Sequence, residues 1–163
     1  MAGLLPESHS LSAYEKQEAS KFRYALVVAQ WNEVFTSKLK EASLQTLLDL
    51  NVPASQIHHL SVPGSFELPL AAKWALEELR ADAVICLGCI IQGETKHDQY
   101  IAQAIANGIM NLNLSHGKPV VFGVLTVHNE EQAADRSGGV HGNKGVEATV
   151  AAVKVLTLRN AMR

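Results

Sequence analysis

Apolar residues recur along the chain in two alternating rhythms. Short, nearly continuous apolar runs occupy residues 22–29 (FRYALVVA), 57–62, 81–91 (ADAVICLGCII) and 120–126. Runs of that length read as buried strands. Between them apolar positions fall at helical spacing, as at Val34, Phe35, Leu39, Leu44, Leu47 and Leu48. Turn and cap residues punctuate the pattern. Asn32 stands as a cap before the first helical stretch, and Asn51-Val52-Pro53 ends it. Pro63-Gly64 turns the chain, Ser65 is placed to cap, and Pro69 falls in a first helical turn, where its ring is tolerated. Thr95 opens a helix running to about residue 114, with Asp98 spaced like the acid of a capping box. Gly117-Lys118-Pro119 turns into the fourth strand. Asn129 and Gln132 have capping-box spacing for a short helix ending at Gly138-Gly139, and a last helix covers 143–158.

The order is therefore βαβαβαβαα. Strands alternating with helices predict an α/β fold: a three-layer αβα sandwich around a four-stranded parallel sheet. Strands that are apolar throughout suit a sheet covered on both faces. The length, 163 residues, fits one domain. It is expected to span 22–163, behind an N-terminal arm over 1–21. That arm has no Lys or Arg before Lys16 and no long apolar run, so it is not read as a secretory signal. It is either a polar tail or an arm that orders against something else.

Composition narrows the function classes. With 47% hydrophobic and 18% charged residues the chain is globular rather than disordered. The 14 Lys+Arg against 16 Asp+Glu leave no basic footprint for nucleic acid. No apolar run approaches the roughly 18–20 residues that span a bilayer. A cytoplasmic protein is expected, with no nucleic-acid or membrane partner. Two cysteines make no disulfide framework.

In parallel sheets ligands sit beyond the carboxyl ends of the strands. Here those ends are 31–32, 64–67, 88–97 and 126–129. The loop from Gly88 to Gly93-Glu94-Thr95 almost reads as the nucleotide phosphate pattern, but Glu94 stands where lysine should be. It is either an ordinary strand-to-helix turn or a small phosphate site, with the helix N-terminus favouring an anion. His97, two residues on, is a proton-transfer candidate if an anion is held there. Trp31 offers a plane for a ring. Glu67 either accepts hydrogen bonds from polyol hydroxyls or caps its helix. Arg136 and Lys144 flank the glycines Gly138, Gly139 and Gly142 on the far side of the last strand; each is either a solvated surface charge or a group that reaches a neighbouring subunit's site rather than its own. Cys86 and Cys89 resemble a redox pair, but three residues apart in a strand they face opposite sides, roughly 10 Å apart. His58 and His59, adjacent in a strand, cannot share a metal ion. His128 ends a strand, and nothing in the sequence decides its role. No nucleophile elbow and no dinucleotide glycine motif are present.

Six segments in register resemble the lumazine synthase family over about residues 22–158. They are Trp31-Asn32, Val62 through Pro69, Leu87 through His97, Phe122 through Thr126, Glu131 through Arg136, and Gly142 through Gly145. The resemblance implies a flavodoxin-like fold and a transferase of riboflavin biosynthesis. Such an enzyme joins 5-amino-6-(D-ribitylamino)uracil to 3,4-dihydroxy-2-butanone 4-phosphate and gives 6,7-dimethyl-8-ribityllumazine. It further implies that Trp31 and Asn32 meet the pyrimidinedione, and that Ser65, Phe66 and Glu67 hold the ribityl side. The backbone of Cys89, Ile90 and Ile91 would read the ring edge, and Glu94 and Thr95 the phosphate. His97 would move protons, while Phe122, Arg136 and Lys144 would complete a shared site. No cofactor and no metal are implied. The resemblance implies a pentamer or a multiple of pentamers, up to an icosahedral shell, with an arm that adds a strand to a neighbour and riboflavin synthase as a partner. Gln92 departs from the basic residue common before that glycine, and Asp98-Gln99 from the aromatic–acid pair common after the histidine. The competing reading is a non-catalytic flavin- or lumazine-binding module on the same scaffold.

Overall fold

The computed structural model describes residues 10–162. Its first element is absent from the sequence reading. Ser12 and Glu15 cap each other: Ser12 Oγ accepts from Glu15 N–H at 3.2 Å, and Ser12 N–H donates to Glu15 Oε2 at 2.7 Å. That capping box starts helix α1, Ala13–Ala19, which packs on the C-terminal helix. The second half of the arm thus belongs to this chain's own body. An arm strand over residues 1–9 would lie outside the described residues.

The remaining elements alternate as the hydrophobic pattern predicts. They are β1 Tyr24–Ala29, α2 Glu33–Asp49, β2 Ile57–Val62, α3 Leu68–Glu77, β3 Ala83–Ile91, α4 His97–His116, β4 Val120–Val127 and α5 Glu130–Arg136. A short antiparallel ribbon, β5 Ser137–Gly139 with β6 Gly142–Asn143, precedes α6 Lys144–Ala161. The sheet is parallel throughout, in the order β2-β1-β3-β4.

Alternate residues of the central strands build two half-cores. Leu26, Ile85 and Leu87 pack with Leu39, Leu47, Val153 and Leu156 beneath α1, α2, α5 and α6. Val27, Val84 and Cys86 pack with Leu68, Ala72, Ile105 and Ile109 beneath α3 and α4. Each such fully buried aliphatic side chain contributes about 1.5–3 kcal/mol. The result is the flavodoxin-like αβα sandwich.

Three expectations need correction. Edge strand β2 is not apolar throughout, because His59 and Ser61 are exposed. The α4 helix begins at His97 rather than Thr95, and Asp98 makes no capping bond. The expected end of the short helix at Gly138-Gly139 falls in the β5–β6 ribbon, where Gly138 and Gly142 have φ of +120° and +76°. Those angles suit glycine and admit other residues only with strain.

Candidate functional site

The carboxyl ends of β1, β2 and β3 converge on a cleft of about 460 Å³. Each wall has a local cause. Beyond β1, Gln30 and Trp31 continue the ladder to β2 by donating to Val62 O at 2.8 Å and Pro63 O at 3.1 Å. The indole of Trp31 is held there with 74% of its surface exposed. Asn32 then turns the chain in a left-handed conformation, φ 63°, which asparagine tolerates better than most residues. Its carbonyl accepts from Phe35 and Thr36 and starts α2. Its side chain does not cap, contrary to expectation. Instead Nδ2 donates to Cys89 O at 2.9 Å, tying the end of β1 to the end of β3.

The second wall is the 3-10 turn Ser65–Glu67 before α3. Gly64 N–H donates to Glu67 Oε2 at 2.9 Å, so this carboxylate closes the turn, and Glu67 is not on the cleft wall. Ser65 is buried against Gly88, where a Cβ would stand only 2.5 Å from Ser65 Oγ. Glycine at 88 is what lets the two segments close up. Phe66 is 59% exposed and faces the cleft.

Cys89, Ile90 and Ile91 form the floor, and Gly93, Thr95 and His97 the third wall. Among the described residues, the N–H groups of Glu94 and Thr95 have no acceptor. Glu94 itself is exposed, and its side chain is off the wall. Asp98 and Ile101 also line the cleft. Sequence reasoning missed Ile101, although its spacing of four from His97 puts both on one helix face. Asp98 Oδ1 is buried and has no hydrogen-bond partner among the described residues.

The β4 side lies apart. Phe122 is half-buried beside the α3–α4 half-core. Arg136 Nη1 donates to Gln132 O at 3.1 Å, and Lys144 Nζ sits 2.5 Å from Glu147 Oε2. None of these three lines the cleft. The chain thus gathers Trp31, Asn32, Ser65, Phe66, Thr95 and His97 around the β3 floor and leaves the β4-side residues away from it.

Cys86 and Cys89 fall in opposite half-cores, as strand geometry predicts. Burial pushes their thiols up to about 12 and about 11. Neither supplies a thiolate near neutral pH. Among the described residues no three His, Cys, Asp or Glu side chains gather as a metal set, and no helix is long and apolar enough to cross a membrane.

Comparison with known proteins bears on the same residues. The model of the 6,7-dimethyl-8-ribityllumazine synthase family matches residues 21–160. A 6,7-dimethyl-8-ribityllumazine synthase of Flavobacterium johnsoniae is 47% identical over 156 residues, 94% of this chain and 82% of that protein. One of Cytophaga hutchinsonii is 49% identical over 149 residues, 90% of this chain and 94% of that protein. One of Coxiella burnetii is 42% identical over 139 residues, 85% of this chain and 92% of that protein. A match over nearly the whole chain, at identities this high, makes it a member of the 6,7-dimethyl-8-ribityllumazine synthase family.

Proposed function

We propose that this chain catalyses the lumazine-forming step of riboflavin biosynthesis, condensing 5-amino-6-(D-ribitylamino)uracil with 3,4-dihydroxy-2-butanone 4-phosphate. One observation carries the proposal. The family match covers the whole sandwich, and the cleft in that sandwich is walled by Trp31, Ser65, Thr95 and His97.

The chemistry suits those walls. The pyrimidinedione stacks on Trp31, with its ring edge against the backbone at Cys89–Ile91. Asn32 shapes that floor through its bond to Cys89. The ribityl chain runs toward Ser65 and Phe66. The phosphate sits on the free N–H groups of Glu94 and Thr95 at the start of α4, where the helix dipole favours an anion. The substrate amine attacks the ketone, and water leaves as the imine forms. Phosphate is then eliminated, and ring closure releases a second water. His97, in the first turn of α4, takes and returns the protons. Much of the acceleration comes from holding two substrates together.

The position of Phe122, Arg136 and Lys144 away from the cleft supports a site completed by a neighbouring copy. We accordingly propose a pentamer or a multiple of pentamers, in the cytoplasm, with riboflavin synthase as the enzyme that receives the product. The test is to mix the purified chain with both substrates and follow lumazine absorbance and fluorescence. Formation above the uncatalysed background, requiring both substrates, is the expected result. Binding of the pyrimidine without acceleration would overturn the proposal in favour of a non-catalytic binding module.

A further inference from the structure

We propose that Gln92 and His128 form a positioning pair that holds the anion-binding loop in register. The inference rests on the phosphate reading of that loop. Gln92 is the last residue anchored to the sheet before the loop: its N–H donates to Val127 O at 2.8 Å, one step beyond the Ile91–Val127 pairing. Its side chain crosses to the same neighbour strand, where Oε1 meets Nδ1 of His128. An amide oxygen only accepts, so Nδ1 carries the proton and donates.

After Gln92 the loop has little to hold it. A Cβ at Gly93 would touch nothing within 4 Å, and residues 93–97 are all exposed. The chain is next buried in the body of α4, at Ile105. The aim of the Glu94 and Thr95 N–H groups therefore depends on how firmly the loop is launched at Gln92. His128 is itself fixed, because its N–H donates to Gln132 Oε1 at 3.0 Å. Gln132 O in turn accepts from Arg136 Nη1 at 3.1 Å. A continuous run of hydrogen bonds thus joins the loop to α5 and its terminal arginine. The pair explains two residues together: a glutamine at the last sheet-anchored position before the loop, and a histidine at the end of β4 with no other partner for its ring among the described residues.

A pair that acts as a unit makes a distinctive prediction. Gln92→Ala and His128→Ala each weaken binding of inorganic phosphate, measured by titration calorimetry on the full chain, by about three- to tenfold, the size of one lost hydrogen bond. The double variant is no weaker than either single one, since each removes the same bond. His128→Asn restores binding, because its Nδ2 stands where the ring Nδ1 stood. Steady-state kinetics on the same variants shows a raised KM for the phosphorylated substrate, with kcat and the KM of the pyrimidine near wild type. Thermal melts confirm folding, expected to hold because both side chains are exposed. Unchanged phosphate affinity in the single variants, or effects that multiply in the double variant, would overturn the pair. A wild-type chain that binds phosphate with this variant pattern but forms no lumazine would overturn the enzymatic reading and leave the pair standing.

Discussion

His97 stands at the mouth of the cleft on the first turn of α4, so its imidazole reaches a ligand without having to move a buried group. Under the proposed function it transfers protons, beside a larger contribution from substrate juxtaposition. His97→Ala is accordingly expected to lower kcat by about 100-fold, the lower end for general acid–base catalysis, rather than to abolish turnover. Initial rates at saturating substrates check this, and a folded but wholly inactive variant would contradict it. The cysteines make a second prediction at this scale. Their thiols are raised from 9.0 to about 12 and about 11 by burial. A raised folded pKa means that the fold favours the protonated thiol. The stability it contributes is complete below pH 9 and is lost as pH climbs from 9 toward 12. Denaturation midpoints should fall across that window, and less steeply in a Cys86→Ala, Cys89→Ala double variant. In native protein at pH 8 a thiol-alkylating reagent should leave both residues unmodified, and both should react on unfolding. Rapid native labelling would show that β3 opens.

The contact between α2 and α6 leaves no room for a side chain at Gly145. A Cβ on Gly145 would lie 2.1 Å from Leu39 O, an overlap with backbone that no rotamer change relieves. One turn further along, Ser43 Oγ and Thr149 Oγ1 share a hydrogen bond of 2.6 Å, and Thr149 also donates to Gly145 O. Gly145→Ala must separate the helices, and is expected to cost about 3 kcal/mol, at the upper end for an overpacked core. Urea denaturation measures that cost, and a loss below about 0.5 kcal/mol, the level of an ordinary surface change, would contradict it. Elements differ in how far the sequence discloses them. Strands β1 and β3 are legible because both of their faces are buried, so every position is apolar. Strand β2 misleads because its place at the sheet edge is a property of the topology rather than of local spacing. Helix α1 was legible: Ser12 and Glu15 have capping-box spacing, a signal hidden by reading the segment as an arm. The roles of Asn32 and Glu67 were not legible to the same degree. Both types suit a helix start, and only the folded chain shows Asn32 crossing to Cys89 while Glu67 closes its own turn.

At the scale of the whole molecule, the residues expected to form one site separate into two groups. One group walls the cleft at the ends of β1, β2 and β3, and the other lies on the β4 side. The first was legible because strand ends are where a parallel sheet presents ligands. The division itself was only foreshadowed, in the far-side placement of Arg136 and Lys144. It makes a prediction about assembly. Trp31→Ala and Arg136→Ala chains, each slow alone, should recover activity when unfolded together and refolded as a mixture. Random mixing restores about a quarter of the sites if one site draws on two copies. No recovery beyond the sum of the separate variants would place both residues in one subunit's site.

The central claim is that the cleft beneath Trp31 holds both substrates. The most direct measurement is a crystal structure of the chain grown with the ribitylaminouracil and inorganic phosphate. The account predicts the ring against Trp31, the ribityl chain at Ser65 and Phe66, and the phosphate on the N–H groups of Glu94 and Thr95 within reach of His97. A pyrimidine bound elsewhere, or a phosphate held away from the start of α4, would contradict it.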